Sequence, residues 1–176
     1  MKHKKAILIL VLVACAALLA VFALNQGTPV NTTAVRADNP LFEVLDEAGG
    51  KKLSSADLKG KVVFLNFWAS WCDPCKEEMP SMDALYKTLR TNGNFAMVTV
   101  LYRDSLTNAS DYMKSKGFAF PVYTDPAEAS SRNFGVTGVP ETYLIDKKGV
   151  VRKRVIGAAD WGSAEEKALI NLLLSE

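Results

Sequence analysis

The chain has 176 residues, a formal net charge of +2, three cysteines and one histidine. This length suits one compact domain with an appendage. The near-neutral charge gives no electrostatic basis for nucleic-acid binding, so we expect no nucleic-acid partner. Cys72 and Cys75 are too close in sequence to form a disulfide framework that ties distant segments together.

The first 24 residues are predicted to form a membrane anchor. Lys2, Lys4 and Lys5 precede an apolar run over 6–24 that contains no charged residue. As a helix this run would be about 28 Å long, close to the bilayer core of about 30 Å. Because lysines stay in the cytoplasm, we expect a single-pass membrane protein whose remainder lies on the extracytoplasmic, periplasmic side.

Two alternatives for this segment also export the remainder of the chain. One is a cleaved signal peptide, although the apolar run is long for such a signal and no cleavage site stands out before Asn25. The other is lipidation at Cys15, since Leu12-Val13-Ala14-Cys15 resembles a lipobox. Residues 16–24 stay apolar where a lipoprotein turns polar, so the uncleaved anchor is the favoured interpretation.

The rest of the chain divides into a tether and one domain. Residues 25–39 are polar and aperiodic, which predicts a flexible tether, and 40–176 are predicted to be the folded domain. Its predicted elements are a hairpin over 42–53, strands at 62–69, 95–101, 120–124, 141–146 and 150–156, and helices at 76–90, 105–116, 125–134 and 163–174. This order implies an α/β fold with a mixed sheet.

Two helices show apolar stripes that are predicted to face the core. In the helix over 76–90 the stripe consists of Met79, Met82, Leu85, Tyr86 and Leu89. In the closing helix it consists of Ala168, Leu169, Leu172 and Leu173.

Cys72 and Cys75 are the candidate reactive residues, because they lie where a buried strand is followed by a helix. The free N–H groups and dipole at a helix N-terminus favour a thiolate. Two cysteines on one helical turn have sulfurs within bonding reach. One thiol can therefore attack a partner disulfide, and the other can release the mixed intermediate. Pro74 is compatible with the first helical turn.

The residue between the cysteines bears on the direction of electron flow. Asp73 carries a negative charge, which disfavours a nearby thiolate and raises its pKa. A poorly stabilised reduced form gives up electrons readily, so we expect a reductant.

Two further motifs leave alternatives open. Glu78 lies one turn beyond Cys75 and can shuttle a proton, but its spacing alone favours a solvated residue such as Glu77. Pro140 lies just before a predicted strand, where a proline either only marks the start of the strand or follows a cis peptide bond. A cis Pro140 would leave the backbone of Val139 free to pair with an extended substrate.

These motifs, 66–75 with Glu78, Pro80 and 138–146, resemble the thioredoxin fold and, more narrowly, the membrane-anchored TlpA/ResA/CcmG group of thiol-disulfide oxidoreductases. The resemblance covers about 40–174. It implies a thioredoxin-like α/β fold with a central mixed sheet, flanking helices and an extra N-terminal hairpin, preceded by one transmembrane helix. Asn66 replaces the buried aspartate of cytosolic thioredoxins, which suits the extracytoplasmic group.

The resemblance also implies roles for residues and partners. Cys72 would be the exposed attacking thiol and Cys75 the resolving thiol, with Glu78 supplying a carboxylate. Pro140 would be cis and face the cysteines, and Trp71 would border the substrate groove. The implied partners are exported protein thiols and disulfides, such as apocytochrome c during cytochrome c maturation, and a membrane thiol-disulfide electron donor. We expect no cofactor.

Other functions fit the sequence less well. A peroxiredoxin-type thiol peroxidase needs proline and threonine where this chain has Leu65 and Ala69. Covalent haem attachment needs histidine where Lys76 stands. Two thiols are too few for a structural zinc site, so no metal is expected, and His3, the single histidine, precedes the apolar run. A non-catalytic binding domain with an inert disulfide remains an alternative.

Overall fold

A computed structural model of the chain describes residues 41–47 and 50–176. The predicted anchor at 1–24 and the predicted tether at 25–39 lie outside the described residues. Within those ranges, no helix combines the length and the apolar character needed to cross a membrane.

The described elements follow the predicted order, with a 3-10 turn (Ser55–Leu58) after the hairpin. They are β1 (Glu43–Leu45), β2 (Lys52–Ser54), β3 (Val62–Trp68), α1 (Asp73–Leu89), β4 (Phe95–Leu101), α2 (Leu106–Lys116), β5 (Val122–Tyr123), α3 (Ala129–Asn133), β6 (Glu141–Ile145), β7 (Val151–Ile156) and α4 (Ala164–Ser175).

A five-stranded mixed sheet organises the domain. The strand order is β5-β4-β3-β6-β7, in which β3, β4 and β5 are parallel and β6 is antiparallel to both β3 and β7. Strands β1 and β2 form a separate antiparallel hairpin. The predicted mixed sheet with flanking helices and an N-terminal hairpin is therefore confirmed.

Strand β3 is central and divides the apolar interior into two cores. Because successive side chains of a strand point to opposite faces, Phe64 and Trp68 join the core beneath α1, whereas Leu65 and Phe67 join the core on the other face. All seven residues of β3 are buried. This burial explains why its sequence is almost continuously apolar rather than alternating.

The boundaries of some elements differ from the predicted ones. Helix α1 begins at Asp73 rather than at residue 76, because Cys72 is the N-cap and Pro74 fits within the first turn. Strand β5 is shorter than predicted. Helix α3 begins only at Ala129, since the Asp125 carboxylate accepts hydrogen bonds from backbone N–H groups at the start of α3 and so caps the helix from four residues away.

The predicted core face of α1 is confirmed, whereas that of α4 is partly wrong. In α1, Met79, Met82 and Leu85 are buried. In α4 the buried residues are Glu166, Ile170 and Leu173, while Leu172 is 55% exposed and Ala168 is also exposed. The helix instead turns Ile170 and Leu173 into the core, and Lys153 pairs with Glu166 on that face at 2.6 Å and so compensates the burial of this carboxylate.

Two adjacent leucines of α4 provide a matched test of this orientation. Leu173→Ala is expected to lower the free energy of unfolding by about 2–5 kcal/mol, because it removes a fully buried side chain. Leu172→Ala is expected to change it by about 0.5 kcal/mol or less, since this side chain is mostly exposed. Urea denaturation measures both values. Equal losses in the two variants would contradict the observed helix face.

Candidate functional site

The two cysteines form a disulfide bond at the N-terminus of α1. Cys72 follows β3 and caps the helix, and the Cys75 backbone N–H donates to Cys72 Sγ at 3.2 Å. The Cα atoms are 5.3 Å apart. The structure thus brings together the two sulfurs that the sequence predicted to lie within reach. It also aims a free helix N–H at the sulfur that precedes the helix.

Solvent reaches the two sulfurs unequally. Cys75 is completely buried, whereas Cys72 is 5% exposed. Cys72 is therefore the more accessible of the pair, although in this oxidised form far less exposed than the resemblance implied. Trp71, at 57% exposure, borders the site, and its indole N–H donates to the Arg103 carbonyl at 3.2 Å. An external thiol or disulfide can approach only from the Cys72 side.

The peptide bond between Val139 and Pro140 is cis and lies against the disulfide. The Val139 carbonyl oxygen is 3.5 Å from Cys72 Sγ. Of the two interpretations left open by the sequence, the cis proline is therefore the one observed. Val139 presents a backbone acceptor beside the accessible sulfur, where an extended peptide can pair with it.

Glu78 lies one helical turn beyond Cys75 on α1 and is buried, with only 2% of its surface exposed. Its Oε1 accepts from Asn66 Nδ2 at 3.0 Å, and its Oε2 accepts from Ala159 N at 3.2 Å and Trp161 Nε1 at 3.1 Å. Burial raises the pKa of Glu78 to about 7, although all three hydrogen bonds oppose the shift. The solvated-residue interpretation was therefore wrong, and this carboxyl group can exchange a proton near neutral pH.

Some residues that contact Glu78 were not identified from the sequence. Ala159 and Trp161 lie about 80 positions away, in the segment between β7 and α4. A buried indole requires a hydrogen-bond acceptor, but the sequence carries no signal that Glu78 would be that acceptor. Asn66, noted only as a departure from thioredoxins, also donates to Thr142 Oγ1 at 2.8 Å.

Asp73 affects the cysteines less than its sequence position suggested. Its side chain is largely exposed, and its carboxylate contacts Lys76 Nζ at 2.9 Å. Solvent and the lysine both screen its charge. The proposed increase in thiol pKa is consequently opposed by the lysine and by the helix N-terminus.

Two clefts adjoin these residues. One, of about 670 Å³, lies beside Trp71 and is lined also by Arg103, Asp104 and Glu128. The other, of about 310 Å³, reaches Glu78 between α1 and the segment that contains Ala159. Within 41–47 and 50–176, no group of three or more His, Cys, Asp or Glu side chains is placed to hold a metal ion.

A family profile described as the AhpC/TSA family matches residues 35–154. The chain is 41% identical over 121 residues to the thiol-disulfide oxidoreductase ResA of Bacillus subtilis, covering 69% of this chain and 66% of that protein. It is 37% identical over 139 residues to ResA of Bacillus thuringiensis, covering 77% and 79%. A crystal structure of a thiol:disulfide interchange protein, a thioredoxin family protein from Chlorobium tepidum, superposes with a TM-score of 0.67 at 31% identity, covering 80% and 98%.

Proposed function

Because the chain belongs to the AhpC/TSA family and is a thiol-disulfide oxidoreductase, as its ResA relatives are named, we propose that it reduces disulfide bonds in exported proteins. The observation that carries this function is the Cys72–Cys75 disulfide, which lies against the cis peptide before Pro140, with the buried Glu78 one helical turn beyond Cys75. Among exported proteins, we assign apocytochrome c before haem attachment as the client class, by resemblance to the TlpA/ResA/CcmG group.

The proposed location is the extracytoplasmic side of the cell membrane. Support comes from the lysines that precede the apolar run over 6–24, which predict an anchor with its N-terminus in the cytoplasm. The tether at 25–39 would then separate the domain from the bilayer. Since the cytosolic thiol pool does not extend to that side, the oxidised protein needs a membrane thiol-disulfide electron donor to restore its dithiol.

In the first step, the Cys72 thiolate of the reduced protein attacks one sulfur of the client disulfide. The Cys75 N–H and the N-terminus of α1 stabilise that thiolate. A bond forms between Cys72 and the client, and the client's other sulfur leaves as a thiolate, which takes a proton from solvent. The carbonyl of Val139 accepts a hydrogen bond from the client backbone and orients it.

In the second step, the buried Cys75 thiol resolves the mixed disulfide. Glu78 accepts the Cys75 proton, for which a carboxyl pKa of about 7 is suited. The Cys75 thiolate then attacks Cys72 Sγ, and the client's second sulfur leaves as a thiolate. The protein ends as the Cys72–Cys75 disulfide, and the client has gained two electrons.

Trapping the intermediate tests this function and names the client. In the full chain, Cys75→Ala is expected to hold the client on Cys72, because no second thiol can release it. Non-reducing electrophoresis of the purified membrane fraction, followed by mass spectrometry, identifies the adducts. Adducts that contain c-type apocytochromes would support the assigned client.

The control is Cys72→Ser in the same Cys75→Ala background, which should trap nothing. Adducts that persist in this double variant would show that Cys72 is not the attacking residue. Adducts with other exported proteins alone would contradict the apocytochrome assignment and leave the exchange reaction intact.

A further inference from the structure

The segment between β7 and α4 places a buried tryptophan against the carboxyl group of Glu78. We infer that Trp161 is a positioning residue of the redox site, an inference that rests on the function proposed above. Its indole N–H, together with the Ala159 N–H, holds Glu78 Oε2, so that Oε1 is turned towards the amide of Asn66. Trp161 thereby stabilises the ionised form of Glu78, which is the form that can accept the Cys75 proton.

The position of Trp161 is fixed from three sides. Its ring is completely buried and meets the Phe64 ring edge-on, with centroids 4.6 Å apart. Its backbone N–H donates to Ser81 Oγ at 3.1 Å, and that hydroxyl donates to the Glu78 carbonyl at 2.7 Å. Trp161 is thus tied to both the backbone and the side chain of Glu78, which leaves the indole little freedom to turn away.

The chemistry of the indole determines what this contact does. An indole N–H can donate a hydrogen bond but cannot accept one. It therefore stabilises the ionised carboxylate of Glu78 more than the protonated carboxyl group. A hydrogen bond to a buried charge is stronger than one between neutral groups. Loss of the indole N–H would therefore raise the pKa of Glu78 further.

The neighbours of Glu78 include few ionisable groups. Asn66, on β3, is neutral, as is Thr142 on β6, which binds Asn66. Glu77 and Asp160 line the cleft that reaches Glu78, and Cys75 lies one turn back on α1. When the rate of the resolving step is plotted against pH, a shift of the transition near pH 7 consequently reports on Glu78 and its partner Cys75.

The experiment compares Trp161→Phe with Trp68→Phe in the full chain. Trp68 is an equally buried indole, but it donates to Thr99 Oγ1 at 3.2 Å rather than to Glu78. Each variant is prepared with glutathione on Cys72, and release of glutathione by Cys75 is followed from pH 5 to 9. Trp161→Phe is expected to move the midpoint up by about one pH unit and to slow release about tenfold at pH 6, whereas Trp68→Phe should leave the midpoint unchanged.

Two further variants separate the possible failures. Glu78→Gln should remove the transition near pH 7 in the pH dependence of glutathione release. Adding Trp161→Phe to Glu78→Gln should have no further effect on that pH dependence. An unchanged pH dependence in Glu78→Gln would overturn the proton relay of the proposed function. A lost transition in Glu78→Gln with an unshifted midpoint in Trp161→Phe would overturn only the role of Trp161.

A replacement that preserves the shape of the indole keeps the test valid if Trp161→Phe fails to fold. Benzothienylalanine at position 161 has the same bicyclic outline, with sulfur in place of the N–H. It should shift the midpoint as Trp161→Phe does, because it lacks the donor and keeps the contact with Phe64. A wild-type midpoint in this protein would show that packing, not the hydrogen bond, accounts for any effect of phenylalanine.

Discussion

Replacing Cys72 with serine is expected to reduce insulin-disulfide reduction to the uncatalysed background, a loss on the order of a thousandfold or more. Serine keeps the size of the side chain, but its hydroxyl does not form an anion at neutral pH and cannot form a disulfide. Cys75 is completely buried and cannot substitute for Cys72. Turnover by Cys72→Ser above the background would show that another group attacks the substrate.

The matched control is Cys75→Ser, which leaves the attacking sulfur in place. This variant should react once with a disulfide at near wild-type rate and then stop as a mixed disulfide. In cells, Cys72→Ser tests the direction of electron flow. Exported client cysteines should accumulate as disulfides if the protein is a reductant, whereas accumulation of free thiols would identify an oxidant.

The unfolding free energy is expected to fall as pH rises from 5 to 8, and Glu78→Gln is expected to remove most of that fall. Burial raises the folded-state pKa of Glu78 from 4.5 to about 7, so the folded protein binds this proton more tightly than the unfolded chain. Stability is therefore highest below the unfolded pKa and is lost as pH rises through the folded pKa. The shift corresponds to at most about 3 kcal/mol.

Urea denaturation of the oxidised protein at each pH measures this effect. Burial opposes ionisation of Asp146, but hydrogen bonds from backbone N–H groups and Arg152 outweigh it and lower the pKa of this carboxyl group. The window from pH 5 to 8 therefore lies above the range in which Asp146 contributes to the pH dependence. Glu77→Gln is the matched control, because Glu77 is the exposed neighbour on the same helix and should leave the pH dependence unchanged. A wild-type pH dependence in Glu78→Gln would contradict the raised pKa.

Local sequence patterns were sufficient for most elements and for the position of the cysteines. The apolar run of β3 and the spacing of Met79, Met82 and Leu85 are properties of a few neighbouring residues. The errors in the predicted element boundaries also arise from contacts between residues that are close in sequence. The start of α3 was placed too early because the hydrogen bonds of Asp125 span four to six residues and delay the helix.

The errors in the site have a different origin. Spacing alone made Glu78 a solvated residue, since i, i+3 periodicity does not reveal what packs against that side of the helix. The face of α4 was misjudged for the same reason, because Glu166 lies on the buried face and pairs there with Lys153 on β7. In both cases a charged side chain is buried among partners that are distant in sequence.

The sequence by itself therefore determined the α/β fold class, which follows from the order of its strands and helices. It also determined that Cys72 and Cys75 lie at a helix N-terminus, because their place depends on spacing within a single strand-to-helix unit. Only the tertiary structure decided that the peptide before Pro140 is cis, that Glu78 is buried, and that Trp161 holds its carboxylate. The burial of Glu78 and its contact with Trp161 depend on hydrogen bonds between β3, α1 and the segment after β7, and such contacts arise only once the sheet has assembled.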